Sequence, residues 1–534
     1  MLRINEIKAP LGADTQCIKQ LAAKAIGVST EDFLYFSIVR ESIDCRRKDR
    51  ISMIYSVDVR LDLGEESLAA GFTQNKVSFY EPKKYELPEN KRVSQFRPVI
   101  VGFGPAGMFC GLLLAKAGLS PLIVERGHDV DTRTQDVKRF WAEGRLNEDS
   151  NVQFGEGGAG TFSDGKLTTG IKDGRTGEVL RLLCEFGAPS EIVYSSRPHI
   201  GTDKLGAVVK NIRKEIIRLG GEVRFGCRLK DIYHANDFIQ GVSLQYDNGE
   251  VEDLETDCLV LCTGHSARDT VEMLYSRGLR MERKAFSIGT RIEHPQELIN
   301  KAQYGSQYKN PLLPPADYKL SNHPLHGRGG YTFCMCPGGT VVCASSEAER
   351  VVVNGMSEYA RDGENANSAI LIGIEPDCFE DSNIFAGIEL QRKIESAAYL
   401  QGGCDYKAPC QTVGDFLKGR SSKQLGSVRP TCPTGVNPTD IRLVLPEIIT
   451  NGIRESILAF DKKLHGFALP EAVLTAPESR SSSPVRITRD EFYQANIRGV
   501  YPCGEGAGYA GGIVSAAVDG LRCAQAVMED VIDY

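Results

Sequence analysis

The residues with the clearest chemistry are the glycines of the run Gly102-Phe103-Gly104-Pro105-Ala106-Gly107. A GxGxxG run holds a dinucleotide pyrophosphate only where a strand precedes it and a helix follows. Residues 99–101 read as a short buried strand and 105 to about 117 as a helix, so both conditions are met. Gly102 permits the turn, Gly104 lets a phosphate approach the backbone, and Gly107 lets helix and sheet pack closely. The helix N-terminus that opens at Pro105 offers the free N–H groups of its non-proline residues, such as Ala106, and the positive end of a dipole to an anion. Glu125 ends the next strand, residues 121–125, where a carboxylate accepts ribose hydroxyls, and Arg126 follows at the same edge. A glycine turn without a ligand is the plainer reading of the same run.

A second glycine-rich stretch spans residues 155–167. Gly155, Gly157 and Gly160 repeat the spacing, but no buried strand precedes them and no acid-ended strand follows. The stretch therefore reads as a loop lying close to a flat ring, with Gly158 against the ring and Ser163, Asp164 and Lys166 as candidate catalytic groups. For Lys166 an ordinary surface ammonium is equally open. Thr263-Gly264 ends an apolar strand, Gly504-Glu505 sits in a late turn, and Gly511-Gly512-Ile513 opens the last helix, whose N-terminus would favour an anion. Arg291, Arg480 and Arg486 could fork onto an anionic substrate or close internal ion pairs. His199, His265 and His294 each read more readily as structural than as catalytic, and His294 is kept among the catalytic candidates. Cys334 and Cys336 flank Met335, so in a strand both thiols would share one face. Inert buried thiols are the commoner case, with a redox pair as the alternative.

The elements that must position these groups fall into four segments. Residues 1–95 read as a small α+β unit and linker: strands at 2–7, 33–43 and 51–61, a helix at 15–26, and a linker at 81–92. Residues 96–283 open as a βαβ unit, with Thr202 expected to cap a helix and residues 222–225 to start a strand meander. Residues 284–490 read as an inserted second domain, and 491–534 return to the first. The chain has 534 residues, 41% hydrophobic and 25% charged, the balance of a globular protein. A net charge of −7 argues against a polyanion-binding surface over the whole molecule. The local cluster Arg46-Arg47-Lys48 leaves RNA or protein recognition by the first unit as an alternative. Sixteen cysteines without one CxxC pair give no zinc-ribbon or iron–sulfur pattern, so no metal is expected. Charges at Arg3, Glu6 and Lys8 argue against a secretory leader, so a cytoplasmic location is expected. The uncharged run 98–115 is broken by Gly102, Gly104, Pro105 and Gly107, so no membrane span is expected.

Several strings resemble those of a widespread bacterial group of FAD-dependent dehydrogenases of unassigned substrate. They are residues 40–48 (RESIDCRRK), the GxGxxG run, 155–167, 197–205 (RPHIGTDKL), 291–296 (RIEHPQ), 333–339 (FCMCPGG), 478–487 (ESRSSSPVRI) and 504–520. The resemblance implies a glutathione-reductase-like FAD-binding Rossmann domain, an inserted α+β substrate domain and a small N-terminal α+β domain. It implies FAD held by residues 102–107, Glu125, Thr263-Gly264, Gly504-Glu505 and Gly512-Ile513, with Leu229 near the adenine. Glu505 stands where that superfamily usually has Asp. The expected function is hydride transfer at flavin N5 with an unidentified small-molecule substrate, NAD(P)H being a possible transient donor.

Overall fold

The computed structural model describes residues 1–62, 64–73, 75–81, 85–323, 328–379 and 382–530. Residues 82–84 of the expected linker lie outside the described residues. The N-terminal unit runs β1 (Leu2–Ala9), α1 (Thr15–Ile26), β2 (Tyr35–Asp44), β3 (Ser52–Arg60), α2 (Glu65–Ala70) and β4 (Val77–Phe79). Its strands form an antiparallel sheet in the order β2-β3-β1-β4. Asp14 caps α1 by accepting from Cys17 N at 2.7 Å, and Gly27 closes it with φ 74. Ile18, Ala22 and Ile26 form the buried stripe that meets Leu2, Ile4, Val57 and Val59.

The end of the expected linker is anchored rather than loose. The Arg92 side chain is fully enclosed between Asp257 and Asp530, and its N–H donates to Met528 O. The unit also docks through backbone bonds, Glu41 N to Tyr194 O at 2.7 Å and Ser196 N to Glu41 O at 2.8 Å.

The chain continues through β5 (Val99–Val101), α3 (Pro105–Lys116), β6 (Leu122–Val124), α4 (Val130–Glu143), α5 (Arg175–Glu185) and α6 (Thr202–Arg218). Then come β7 (Glu222–Arg224), the antiparallel meander β8 (Cys227–Ala235), β9 (Phe238–Tyr246) and β10 (Val251–Glu255), β11 (Leu259–Leu261) and α7 (Arg268–Ser276). All ten residues from Ala106 to Ala115 of α3 are buried, which explains the uncharged run as core. Among the described residues no helix is long and apolar enough to cross a membrane. Thr202 does not cap α6: its hydroxyl donates to Thr161 O at 2.6 Å and Gly201 takes the cap position.

A second layered unit follows: β12 (Met281–Arg283), β13 (Phe286–Pro295), α8 (Gln296–Tyr304), β14 (Gly330–Cys336), β15 (Thr340–Cys343), β16 (Val353–Met356) and β17 (Asn365–Ile374). It continues as α9 (Ala386–Gly402), β18 (Ala408–Thr412), α10 (Val413–Leu417), β19 (Val436–Pro438), α11 (Glu447–Lys463), β20 (Val473–Glu478) and β21 (Val485–Ile487). Its main sheet has the order β14-β17-β13-β20-β18-β19, antiparallel except for β18–β19. Both β13 and β17 are buried on nearly every residue, so the sheet is covered on both faces.

The chain then returns with β22 (Val500–Pro502) and α12 (Ile513–Glu529). Five parallel strands stand in the order β22-β11-β5-β6-β7. Residues 222–224 thus end that sheet, and the meander starts only at Cys227. In α12, a Cβ on Gly520 would stand 2.2 Å from Ala106 O, so the first and last helices cross at backbone contact. The whole is a mixed α/β fold.

Candidate active site

The parallel strands end at one cavity of about 650 Å³, within the range of cofactor and small-ligand sites. Its wall begins at the turn after β5. Gly102 has φ 101, and a Cβ there would lie 2.3 Å from Cys262 O on the neighbouring strand's end. A Cβ on Gly107 would lie 1.9 Å from Gly102 O, which is why the helix can start against the strand.

Gly104, Pro105 and Ala106 border the cavity at the start of α3, and Met108 N makes the first helical bond back to Gly104 O. The earlier N–H groups of the turn have no intrahelical acceptor, the geometry that receives an anion. Gly158, φ 63, brings the second glycine loop so close that its own Cβ would be 3.0 Å from Gly104 Cα.

Glu125 is 6% exposed and borders the cavity beside Arg126. Its Oε1 accepts Gly127 N and Gly155 N at 3.0 and 2.9 Å, and Oε2 accepts Phe103 N at 2.8 Å. It is therefore a clamp on three loops as well as an acceptor facing the cavity. Arg133 is the partner that the sequence did not announce. Fully buried, it donates to the carbonyls of Asn151, Val152 and Glu156 and fixes the loop that ends at Gly158. With no carboxylate in hydrogen-bond contact among the described residues, burial pulls its guanidinium down to about 10.

Leu229, Thr263, Gly264, Glu505, Gly512 and Ile513 complete the wall on the side of the parallel sheet. Gly107 and Gly504 do not border the cavity; they serve the packing behind it, a Cβ on Gly504 falling 2.8 Å from Ala106 Cβ. A Cβ on Gly264 or Gly511 would meet nothing within 4 Å. The Glu505 carboxylate has no hydrogen-bonded partner among the described residues; His265 Nε2 is 4.0 Å away. Burial pushes it up to about 7, against the weak pull of Lys284. His265 stays neutral, pushed down to about 3 by burial with Arg480 and Arg268 nearby.

The candidate catalytic groups divide. Ser163 and Lys166 border the cavity. Ser163 Oγ is committed to its own turn, donating to Gly160 O at 2.7 Å and accepting Gly165 N at 3.0 Å. The Lys166 ammonium is no free surface charge, because it donates to Met335 O on β14. Asp164 does not face the cavity: it is fully buried and forms an ion pair with Arg361. Arg291 also lies behind the wall, with Nε 2.6 Å from Glu478, one terminal nitrogen on Cys334 O at 2.8 Å and the other on Asn354 Oδ1 at 3.2 Å. His294 is fully enclosed away from the cavity, its Nε2 2.7 Å from Phe467 O, and burial pushes it down to about 4. Neither borders the cavity.

Arg480 and Arg268 are both spent on Glu395, a fully buried carboxylate that they hold well below the usual range against burial. Arg486 pairs with Glu282 at 2.9 Å. His199 stacks on Tyr359 at 5.3 Å between ring centres. At the N-terminal tip, Arg46 pairs with Asp44, and Lys48 donates to Ala302 O at 2.7 Å. The tip is thus docked on the second unit. One buried trio, Cys503, Asp519 and Cys523, has the composition of a metal site. Its carboxylate is already taken by Arg489 and Gly504 N.

The residues present fit an extended dinucleotide. The start of α3, the Glu125 carboxylate, glycines with open space and a Glu505 carboxylate without a hydrogen-bond partner among the described residues all border the one cavity.

Residues 285–481 match the family described as FAD-dependent protein, C-terminal domain-like, and residues 1–60 match a domain of unknown function. A Clostridium beijerinckii protein, described as uncharacterized, is 47% identical over 531 residues, 99% of this chain and 98% of its own. Among solved structures, a geranylgeranyl bacteriochlorophyll reductase-like protein from Thermoplasma acidophilum is 12% identical with a TM-score of 0.37, covering 81% of this chain and 78% of its own. A flavoprotein/dehydrogenase from Cytophaga hutchinsonii has the same identity and coverage, with a TM-score of 0.36. The chain belongs to the same protein family as the Clostridium beijerinckii relative.

Proposed function

We propose that the protein is a FAD-dependent oxidoreductase acting on a small molecule. FAD is bound by the segments 96–283 and 491–534, and the inserted segment 284–490 covers the reacting end. One observation carries the reading. The start of α3, Glu125, Glu505 and the start of α12 open on a single cavity that β14 and β20 of the second unit close.

In this reading the N–H groups at the start of α3 hold the pyrophosphate, and Glu125 takes the adenosine ribose. Glu505 accepts ribityl hydroxyls, and Gly512-Ile513 bring the positive end of α12 to the ring. When bound, FAD supplies two-electron hydride chemistry at N5. The chain's own part is positional: Lys166 and Arg361 tie the glycine loop to the second unit, and Arg291 braces the strand beside it. NAD(P)H as a transient donor remains part of the proposal. Recognition of RNA by the N-terminal unit draws no support from a basic tip already docked by Lys48.

The test is the absorption spectrum and extracted cofactor of the purified protein, followed by anaerobic mixing with NADH, NADPH and a panel of small reductants. The expected result is bound FAD that at least one donor bleaches. Protein that neither retains nor takes up FAD would overturn the reading.

A further inference from the structure

The run Phe333-Cys334-Met335-Cys336 closes β14. Its pairing with β17 is regular to Phe333↔Ala369 and resumes at Cys336↔Asn367, so β14 carries one extra residue. Cys334 absorbs it with φ 41, in the left-handed region. This changes what the two thiols can do. In a flat strand, residues i and i+2 stand about 6.7 Å apart. A disulfide needs Cβ atoms about 3.5–4.5 Å apart. The bulge breaks the flat spacing and folds the Cys336 thiol back onto residue 334: Cys336 Sγ donates to Cys334 O at 3.2 Å.

The bulge is held by two cations, one bordering the cavity and one behind its wall. Arg291 donates to Cys334 O at 2.8 Å from β13, and Lys166 donates to Met335 O from the glycine loop. A left-handed residue fixed this firmly is typical of a functional position. Cys334 borders the cavity, whereas Cys336 is fully enclosed. Their environments also differ from that of Cys262, which borders the same cavity. Burial pushes the Cys262 thiol up to about 11. The neighbouring Cys336, with Arg291 and Lys166 nearby, draws the Cys334 thiol down against burial, while that of Cys336 goes up.

We propose that Cys334 and Cys336 form a dithiol–disulfide couple on the cavity wall, Cys334 meeting a small disulfide or dithiol substrate and Cys336 closing the S–S bond. With a disulfide substrate, the Cys334 thiolate attacks one sulfur and the other leaves as a thiolate. Cys336 then attacks Cys334 in the mixed disulfide, and the second substrate thiol departs. The substrate gains two electrons and two protons, and the protein loses two S–H bonds and gains one S–S bond. Two electrons and two protons restore the dithiol, and reduced FAD is their source. That last exchange rests on the function proposed above; formation of the disulfide does not.

Two measurements separate them. The holoprotein is treated with oxidised glutathione, its remaining thiols are alkylated, and the peptide containing Cys334 and Cys336 is weighed. The couple predicts that neither thiol is alkylated after oxidation and that both are alkylated after dithiothreitol. Two alkylated thiols at these positions after oxidation would overturn the couple, whether or not flavin is present. The second measurement is an anaerobic dithionite titration of the oxidised holoprotein. The expected uptake is four electrons per FAD in the wild type and two in Cys336→Ser. Two electrons in both, with the disulfide proved by mass, would overturn exchange with the flavin. Cys336→Ser keeps a hydroxyl able to donate to Cys334 O, and Cys334→Ser provides a second variant with the same expected count.

Discussion

Arg361 reaches from the second unit to grip Asp164 with two nitrogens, and the carboxylate that it grips is fully buried. The pair fixes the loop that also carries Ser163 and Lys166, so the cavity wall depends on a contact between segments far apart in the chain. Asp164→Asn keeps the shape but leaves the guanidinium, 10% exposed, without its counter-charge. Breaking one side of a buried pair costs about 3–5 kcal/mol. The expected outcome is a lower urea midpoint and weaker FAD retention. A midpoint equal to the wild type's would show that the loop is held by Lys166 and the backbone alone.

The glycines at the two ends of the cavity behave oppositely. Gly102→Ala forces a side chain into φ 101 and within 2.3 Å of Cys262 O. The left-handed backbone alone costs about 1–2 kcal/mol, so the apoprotein itself is destabilised. At Gly512 the backbone is extended, and a Cβ would come no nearer than 4.0 Å to Ser515 Oγ. Gly512→Ala is expected to leave apoprotein stability within about 0.5 kcal/mol while lowering FAD affinity. Calorimetry of FAD binding together with thermal unfolding checks both. Unaltered FAD affinity in Gly512→Ala would remove α12 from the binding site.

What was legible in the sequence was what short-range rules control. The glycine spacing at 102–107, the uncharged run that became α3 and the apolar strand before Thr263 need only local packing to be read. The surroundings of the tip at Lys48 and of Asp164, Arg291 and His294 are not legible in the sequence, for one reason. Each is decided by a partner far away in the chain: Ala302, Arg361, Glu478 and Phe467. Strand alternation puts Cys334 and Cys336 on one face; the bulge at Cys334 depends on the register of β14 on β17. Arg133 gave no signal, because an arginine on an amphipathic helix looks the same whether it faces solvent or three carbonyls.

His128 links α4 to the turn after β9 through Asp136 at 2.6 Å and Asp247 at 3.1 Å. Burial opposes its charged form, but the two carboxylates outweigh it and raise the imidazole above its usual value. A raised value means that the folded state binds the proton more tightly than the unfolded state. The contribution is full below about pH 6.5 and is lost as pH rises through the raised value. The melting temperature of His128→Asn should therefore fall further below wild type at pH 6 than at pH 9. An equal gap at both values would mean that the links do not depend on charge.

Glu505 gives the pH test of cofactor binding. Its carboxyl is pushed up to about 7 by burial, and no described residue donates a hydrogen bond to it. Ribityl hydroxyls donate to a carboxylate better than to a neutral acid, so the ionised form is the one that binds more tightly. Affinity for FAD should then rise with pH from about 6 to 8, with proton release on binding near pH 7. Glu505→Gln removes the titration, and its affinity should be lower at pH 8 and nearly independent of pH across that range. Calorimetry in two buffers of different ionisation heat counts the protons directly. A wild-type affinity that is flat with pH and releases no proton would mean that Glu505 does not meet the cofactor, and the ribityl assignment would fall while the α3 end of the site could still stand.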